Sequence, residues 1–169
     1  MSGPVTRALK GSGLSGAIQP GLQAVSGNDR KYIGESLRKT FLDSLNLDEA
    51  TRPQHPGDSR WDYLLGHDSS SHVIALEVHS ANTSNVAKVV RKRASSREHL
   101  QAHLQAGETV AAWYWVAAGR VDFAPHDKTI NYLDQNGIQF VGSRLEAKYV
   151  ASLSKRVVTA ASRKKKPRK

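Results

Sequence analysis

Cysteine is absent from this chain, which excludes a disulfide scaffold, a cysteine nucleophile and any thiolate metal site. A chain without thiols suits a reducing compartment, so the expected location is cytoplasmic. Long apolar runs are also missing. None approaches the roughly 20 residues that cross a bilayer, so no membrane insertion is expected. The opening Met1-Ser2-Gly3-Pro4-Val5-Thr6-Arg7 is broken by glycine and proline before a signal-peptide apolar stretch can form. Acidic residues are lacking at both ends. Residues 1–27 hold Arg7, Lys10 and six of the 13 glycines, and residues 155–169 hold eight basic residues and no acid. All 15 acidic residues lie between, matched by an equal number of basic ones, so the net charge of +10 belongs to the two ends.

A length of 169 residues fits one domain with appended arms. Three segments are expected. Residues 1–27, with glycine at 3, 11, 13, 16, 21 and 27, read as a flexible N-terminal arm. Residues 28–154 read as a single α/β domain. Residues 155–169, ending Arg163-Lys164-Lys165-Lys166-Pro167-Arg168-Lys169, read as a disordered basic tail. Such a tail binds polyanions by counterion release, with steep salt dependence and no sequence specificity. Nucleic acid, DNA or RNA, is the partner this charge favours. A solubility tail or a ribosomal contact has the same appearance, and an anionic membrane surface is less favoured because no amphipathic stripe accompanies the charges.

Within the central segment, Asn28 or Asp29 can cap a helix to about Asn46, with Ile33, Leu37, Phe41 and Leu45 recurring every fourth residue. Arg60–Gly66 and His72–His79 read as two strands joined by Gly66-His67-Asp68-Ser69-Ser70-Ser71 into a hairpin. A long helix follows from Thr83 to about Gln105. Thr109–Ala117 is almost continuously apolar and reads as a central strand covered on both faces. Val121–Phe123 reads as a further short strand. A helix from Asp127 to Asn136 stops before Gly137, and Ile138–Val141 is the last strand. Ser143-Arg144-Leu145-Glu146 has the form of a capping box opening a final helix. The expected architecture is a mixed central sheet flanked by helices.

Asp62 lies on the first strand of the hairpin, and Glu77 and His79 on the second. Residues i and i+2 of a strand share a face, so Glu77 and His79 point together while Leu76 and Val78 point away. An acid in a strand this apolar is desolvated unless a cation compensates it. A divalent metal or an arginine can do so. On the long helix, Lys88, Arg91, Lys92, Ser95, His99 and His103 form one polar, mostly basic face at 100° per residue. Arg93 and Arg97 fall within the apolar stripe of Val86, Val89, Val90, Leu100 and Leu104, where an arginine must snorkel or pair with an acid. Asp62 and Glu77 are available partners if the helix packs over the hairpin, and the two arginines would then line a phosphate path.

Asp62, followed fifteen positions on by Glu77-Val78-His79 in the order helix, hairpin, helix, strand, resembles the PD-(D/E)XK, or restriction-endonuclease-like, nuclease superfamily. The resemblance covers about residues 28–117. It implies an α-β-β-α-β core, here with a C-terminal α-β-α extension, and a metal-dependent phosphodiesterase. It implies that Asp62, Glu77 and the Val78 carbonyl hold Mg²⁺ or Mn²⁺, for which hard oxygen ligands are suited. The superfamily's final position is usually lysine; this chain has His79, which a neutral imidazole makes chemically acceptable as a base. Trp61 stands where the family's proline would be. Many members add an acid from the first helix, but Glu35, the candidate by order, falls off that helix's core stripe.

Other readings of the same residues stand beside this one. Asp62, Glu77 and His79 can be the polar outer face of a hairpin, or a metal-free ion pair with Arg93 or Arg97. Lys88, Arg91 and Lys92 can be a solvated helix face. His99 and His103 stand at i, i+4, but without a third ligand they read as ordinary histidines. Trp113-Tyr114-Trp115 reads as core or interface, with base stacking as the minor alternative. The competing functions are a non-catalytic nucleic-acid-binding module on a degenerate nuclease fold, and a protein-interaction domain, for example a homodimer formed through the aromatic strand.

Overall fold

Short apolar runs covered on both faces build the centre of the architecture, as the computed structural model shows for residues 2–124 and 127–153. Six strands form one sheet in sequential order: β1 (Gln19–Pro20), β2 (Phe41–Asn46), β3 (Tyr63–His67), β4 (His72–Ala81), β5 (Val110–Val121) and β6 (Ile138–Phe140). The first four pair antiparallel, and β4–β5 and β5–β6 pair parallel. The two parallel joints need crossovers. They are supplied by α5 (Val86–Gln101) and α6 (Lys128–Gln135), after the short helices α1 (Pro4–Ala8), α2 (Gly27–Arg30), α3 (Glu35–Arg38) and α4 (Leu47–Thr51). This is an α/β fold with a mixed, open sheet, as expected. A helical stretch at 147–153 follows β6.

The two faces of the sheet bury separate cores. In β4, Val73, Ala75 and Ala81 pack with Trp113, Trp115, Val86, Val89 and Leu100 beneath α5. Ile74 and Leu76 pack on the opposite face with Tyr114, Val116, Ile33, Leu37 and Leu145. β5 has strands on both edges and side chains buried on both faces, so it is the central strand its apolar run predicts. It continues through Val121, and the separate Val121–Phe123 strand is not formed.

The helix expected over 28–46 is replaced by α2, α3 and β2. Ile33, Leu37, Phe41 and Leu45 are all buried, but they do not share a face: the first three join one core and Leu45 the other. A tertiary bridge interrupts the helix. Leu145 N–H donates to the Tyr32 carbonyl and Gly34 N–H to the Leu145 carbonyl, both at 2.8 Å, making a parallel bridge between Ile33 and Leu145. The same bridge takes Leu145 out of the expected final helix, so helical geometry there begins only at 147 and no capping box forms from Ser143. The α-β-β-α-β order is thus modified at its start, where β2 adds an antiparallel strand beside the hairpin.

The N-terminal segment is not a loose arm. Val5, Ala8 and Leu9 are fully buried, and Gln19–Pro20 form the edge strand β1. The anchor is Asp43, which accepts hydrogen bonds from Val5 N–H (3.1 Å), Thr6 N–H (2.7 Å) and Thr6 Oγ1 (2.7 Å). Its carboxylate fits between Gly3 and Gly66, where any Cβ would collide with it. Glycine here permits close approach rather than flexibility. Leu9→Ala is therefore expected to destabilise the protein by about 2–5 kcal/mol, the cost of emptying a packed core site. Urea unfolding measures this, and a loss under about 0.5 kcal/mol, typical of surface positions, would refute the packing. The basic tail lies outside the described residues, with Arg163, Lys164, Lys165, Lys166, Arg168 and Lys169.

Candidate functional site

The strand expected from Arg60 begins at Tyr63, so Asp62 sits one residue before β3. Its carbonyl accepts the amides of Leu47 (2.9 Å) and Asp48 (3.3 Å), which fixes it at the sheet's end. The antiparallel register pairs Tyr63 with Leu76, which brings Asp62 opposite Glu77. Two crossed hydrogen bonds lock them: Asp62 N–H donates to Glu77 Oε2, and Val78 N–H donates to Asp62 Oδ2, each at 3.0 Å. Val78 thus meets Asp62 through its amide.

Glu77 is completely buried on the face covered by α5. Lys92 reaches down from that helix. Its Nζ donates to Glu77 Oε1 and lies 3.7 Å from Asp62 Oδ1. Both carboxylates therefore converge on one cation. α5 is held in place by Val86, Val89 and Leu100 in the core, and by Ser96 Oγ, which accepts the Trp61 amide at 2.8 Å.

Burial, reinforced by the neighbouring Asp62, pushes the Glu77 carboxyl up to about 8. Burial also raises Asp62, against the pull of Lys92 and the Val78 amide. Burial opposes the charge on Lys92, but Glu77 and Asp62 outweigh it and hold the ammonium above the usual lysine range. Near neutral pH the cluster thus keeps a charged lysine beside two acids that resist both being ionised. His79 shares the strand face of Glu77. Burial, then Lys92 and Lys88, lower it below the usual imidazole range, so it is neutral near pH 7. Its Nε2 is buried with no hydrogen-bond partner among the described residues.

The cation over the carboxylates is Lys92, and neither Arg93 nor Arg97 takes that place. Arg93 points toward β5 and β6: its guanidinium lies 5.5 Å from the Trp113 ring and packs against the backbone of Gly137. With Arg97 it lines a cleft of about 540 Å³ with Trp113 and Thr109, on a different flank of α5 from Asp62. No ion pair of Arg93 or Arg97 occurs among the described residues. Lys88 and Arg91 are exposed, as a solvated helix face requires, and Glu35 is exposed on α3. Trp113 and Trp115 are core residues. β5 lies between β4 and β6, and its buried tryptophans are not presented for base stacking.

The basic helix face divides along its length. Lys92 meets Asp62 and Glu77, and His99, two turns on, meets Asp58 at 2.9 Å. The sequence signal for Lys92 was its place on that face, seven residues from His99 and four from the buried Ser96. That row lies over the hairpin. His55 and Asp58 have no periodic pattern and join the picture only through the fold.

No helix among the described residues is long and apolar enough to cross a membrane. Comparison of the chain with protein-family models, curated proteins and solved structures gives no match.

Proposed function

We propose that this chain is a metal-dependent phosphodiesterase acting on nucleic acid, with Asp62, Glu77 and Lys92 as the core of its site. The observation that carries this reading is the convergence of two carboxylates and one ammonium group on the same end of a hairpin, under a crossover helix. The resemblance to restriction-endonuclease-like nucleases demands an acid pair with a lysine, and the sequence offers His79 where the lysine should be. Lys92 supplies the missing positive charge from α5.

Asp62 and Glu77 offer hard oxygens of the kind a divalent cation takes, and such an ion would have to displace Lys92 from its place over them. Asp62 and Glu77 contribute oxygens from one face, held convergent by the crossed backbone hydrogen bonds. Mg²⁺ or Mn²⁺ bound there supplies charge neutralisation for a phosphodiester and acidifies a water. The chain's own residues do the rest. Lys92 places a fixed positive charge where a phosphoryl oxygen develops negative charge. His79 is neutral, and its unpartnered Nε2 would take the proton of an attacking water once substrate binding opens that buried nitrogen.

The test is cleavage of plasmid DNA and of RNA by the full chain with Mg²⁺ or Mn²⁺. Asp62→Asn should lower the rate at least about 100-fold, and His79→Ala by about 100-fold or more if His79 is the base. Wild-type protein without metal-dependent cleavage, or Asp62→Asn as active as wild type, refutes the proposal.

A second reading is a nucleic-acid-binding module without turnover. It is favoured by Lys92, which already neutralises the carboxylates, together with the eight positive charges of residues 155–169. It predicts salt-sensitive retention of DNA or RNA with no cleavage. Deleting 155–169 should then flatten the plot of log K against log salt, by roughly 0.7–0.9 for each phosphate that the tail had neutralised. An unchanged slope refutes it.

A further inference from the structure

We propose that His55, Asp58 and His99 form a second metal site, for a borderline divalent transition ion such as Zn²⁺, which clips the connector between α4 and β3 onto α5. Their donor atoms, one imidazole nitrogen from each histidine and a carboxylate oxygen, all lie within 4.8 Å of one another. Asp58 Oδ2 is 2.9 Å from His99 Nε2 and 3.6 Å from His55 Nδ1. Tetrahedral zinc with bonds of about 2.0–2.2 Å separates its ligands by roughly 3.3 Å, so the three donors already span the dimension of one ion. Two imidazoles and a carboxylate select Zn²⁺ and its neighbours over Mg²⁺. The site therefore differs in chemistry from the all-oxygen pair Asp62–Glu77, and it does not depend on the phosphodiesterase reading.

The parts are arranged as a fixed ligand and two adjustable ones. His99 is on a long helix with its side chain 9% exposed, whereas His55 and Asp58 are 34% and 51% exposed on the connector. The His55 and His99 rings stack at 3.6 Å with planes 10° apart, and tilting the His55 ring lets both nitrogens face one ion. A water completes the coordination on the exposed side. His103, in the turn just past the end of α5, is lowered from the ordinary histidine range by burial and then by the nearby His55 and His99 rings.

The connector needs such a fastening. Residues 52–58 bury no side chain. Their shape comes from Arg60, whose Nη1 donates to the carbonyls of His55 (2.6 Å) and Asp58 (3.0 Å) while its Nε donates to Asp48 (2.8 Å). That fold turns His55 and Asp58 toward α5. The chain then runs directly into Trp61 and Asp62, so a metal clip would steady the approach to the carboxylate pair from two helical turns away.

The test titrates metal-free full-length protein with Zn²⁺ alone, by calorimetry and thermal unfolding, and with Co²⁺ for its visible absorption. The His55–Asp58–His99 site should take one ion per chain, apart from any ion held by Asp62 and Glu77. At a free Zn²⁺ concentration 100 times Kd, the folded-to-unfolded ratio should rise about 100-fold. His99→Ala and, on the exposed connector where folding is not at stake, His55→Ala should each weaken binding at least about tenfold. Glu77→Gln should leave it intact. Binding of less than one ion per chain, wild-type affinity in both histidine variants, or loss of the ion in Glu77→Gln overturns the assignment.

Discussion

Glu77→Gln is expected to lower Mg²⁺-dependent cleavage at least about 1,000-fold and to erase a pH dependence that wild type shows between pH 6 and 8. Glu77 binds a cation only when ionised, and burial beside Asp62 pushes it up to about 8. Below that value the ionised fraction falls about tenfold per pH unit, so log kcat/KM should climb with a slope near one and flatten above pH 8. The imidazole titrates elsewhere. His79 is lowered from the ordinary histidine range by burial and by Lys92 and Lys88, so its ionisation is complete before the rise ends. The two groups are thereby separable: His79→Ala should reduce the plateau and keep the rise, and Glu77→Gln should remove both. Profiles of kcat/KM against pH at Mg²⁺ concentrations well below its dissociation constant measure this, because saturating metal displaces the Glu77 proton. A wild-type profile flat from pH 6 to 8, or one whose rise survives in Glu77→Gln, refutes the role of Glu77.

Residues whose environment is set by neighbours in the chain were legible before the fold was known. The strict alternation in His72–Ala81 assigned Leu76 and Glu77 to opposite faces, and the two cores confirm the split. The apolar run around Trp113 and Trp115 announced a strand covered on both sides. What failed was every inference that a long-range contact could overrule. The four-residue spacing of Ile33, Leu37, Phe41 and Leu45 is genuine, yet hydrogen bonding to Leu145 breaks the helix and sends the positions to different faces. Glycine-rich sequence at the N-terminus suggested entropy, whereas Gly3 on one side and Gly66 on the other make room for the Asp43 carboxylate.

The site divides along the same line. Asp62, Glu77 and His79 emerged from strand periodicity, because a hairpin register follows from a short loop. The identity of the cation did not. Choosing among Lys92, Arg93 and Arg97 depends on the rotation of α5 about its own axis, and a difference of one residue is 100°. That rotation is set by Val86, Val89, Ser96 and Leu100 going inward together, which leaves Lys92 leaning toward β3 and Arg93 toward Trp113.

Lys92→Met is expected to destabilise the folded chain by about 3–5 kcal/mol at pH 10, the usual result of removing one partner from a buried ion pair. The side chains are sheltered enough for that magnitude: Lys92 is 15% exposed, Asp62 23% and Glu77 0%. The sign of the pH dependence follows from Glu77. Its folded pKa, about 8, exceeds the ordinary 4.5, so its protonated form favours folding and that contribution fades as pH rises from 4.5 through 8. Without the ammonium the carboxyl is pushed higher still and simply keeps its proton in acid. From pH 5 to about pH 7 both folded proteins keep that proton, so the destabilisation by Lys92→Met should stay near a packing loss of about 1 kcal/mol, and it should grow only above pH 8, where wild type ionises Glu77 and the variant does not. Adding Glu77→Gln removes the carboxyl that must either hold a proton or stand unpaired, so at pH 10 the double variant should recover at least about 2 kcal/mol relative to the sum of the single ones. Urea unfolding of the four proteins at pH 5 and pH 10 closes the cycle. Additive effects, or a Lys92→Met variant within about 0.5 kcal/mol of wild type at pH 10, would mean that the ammonium does not hold the two carboxylates together.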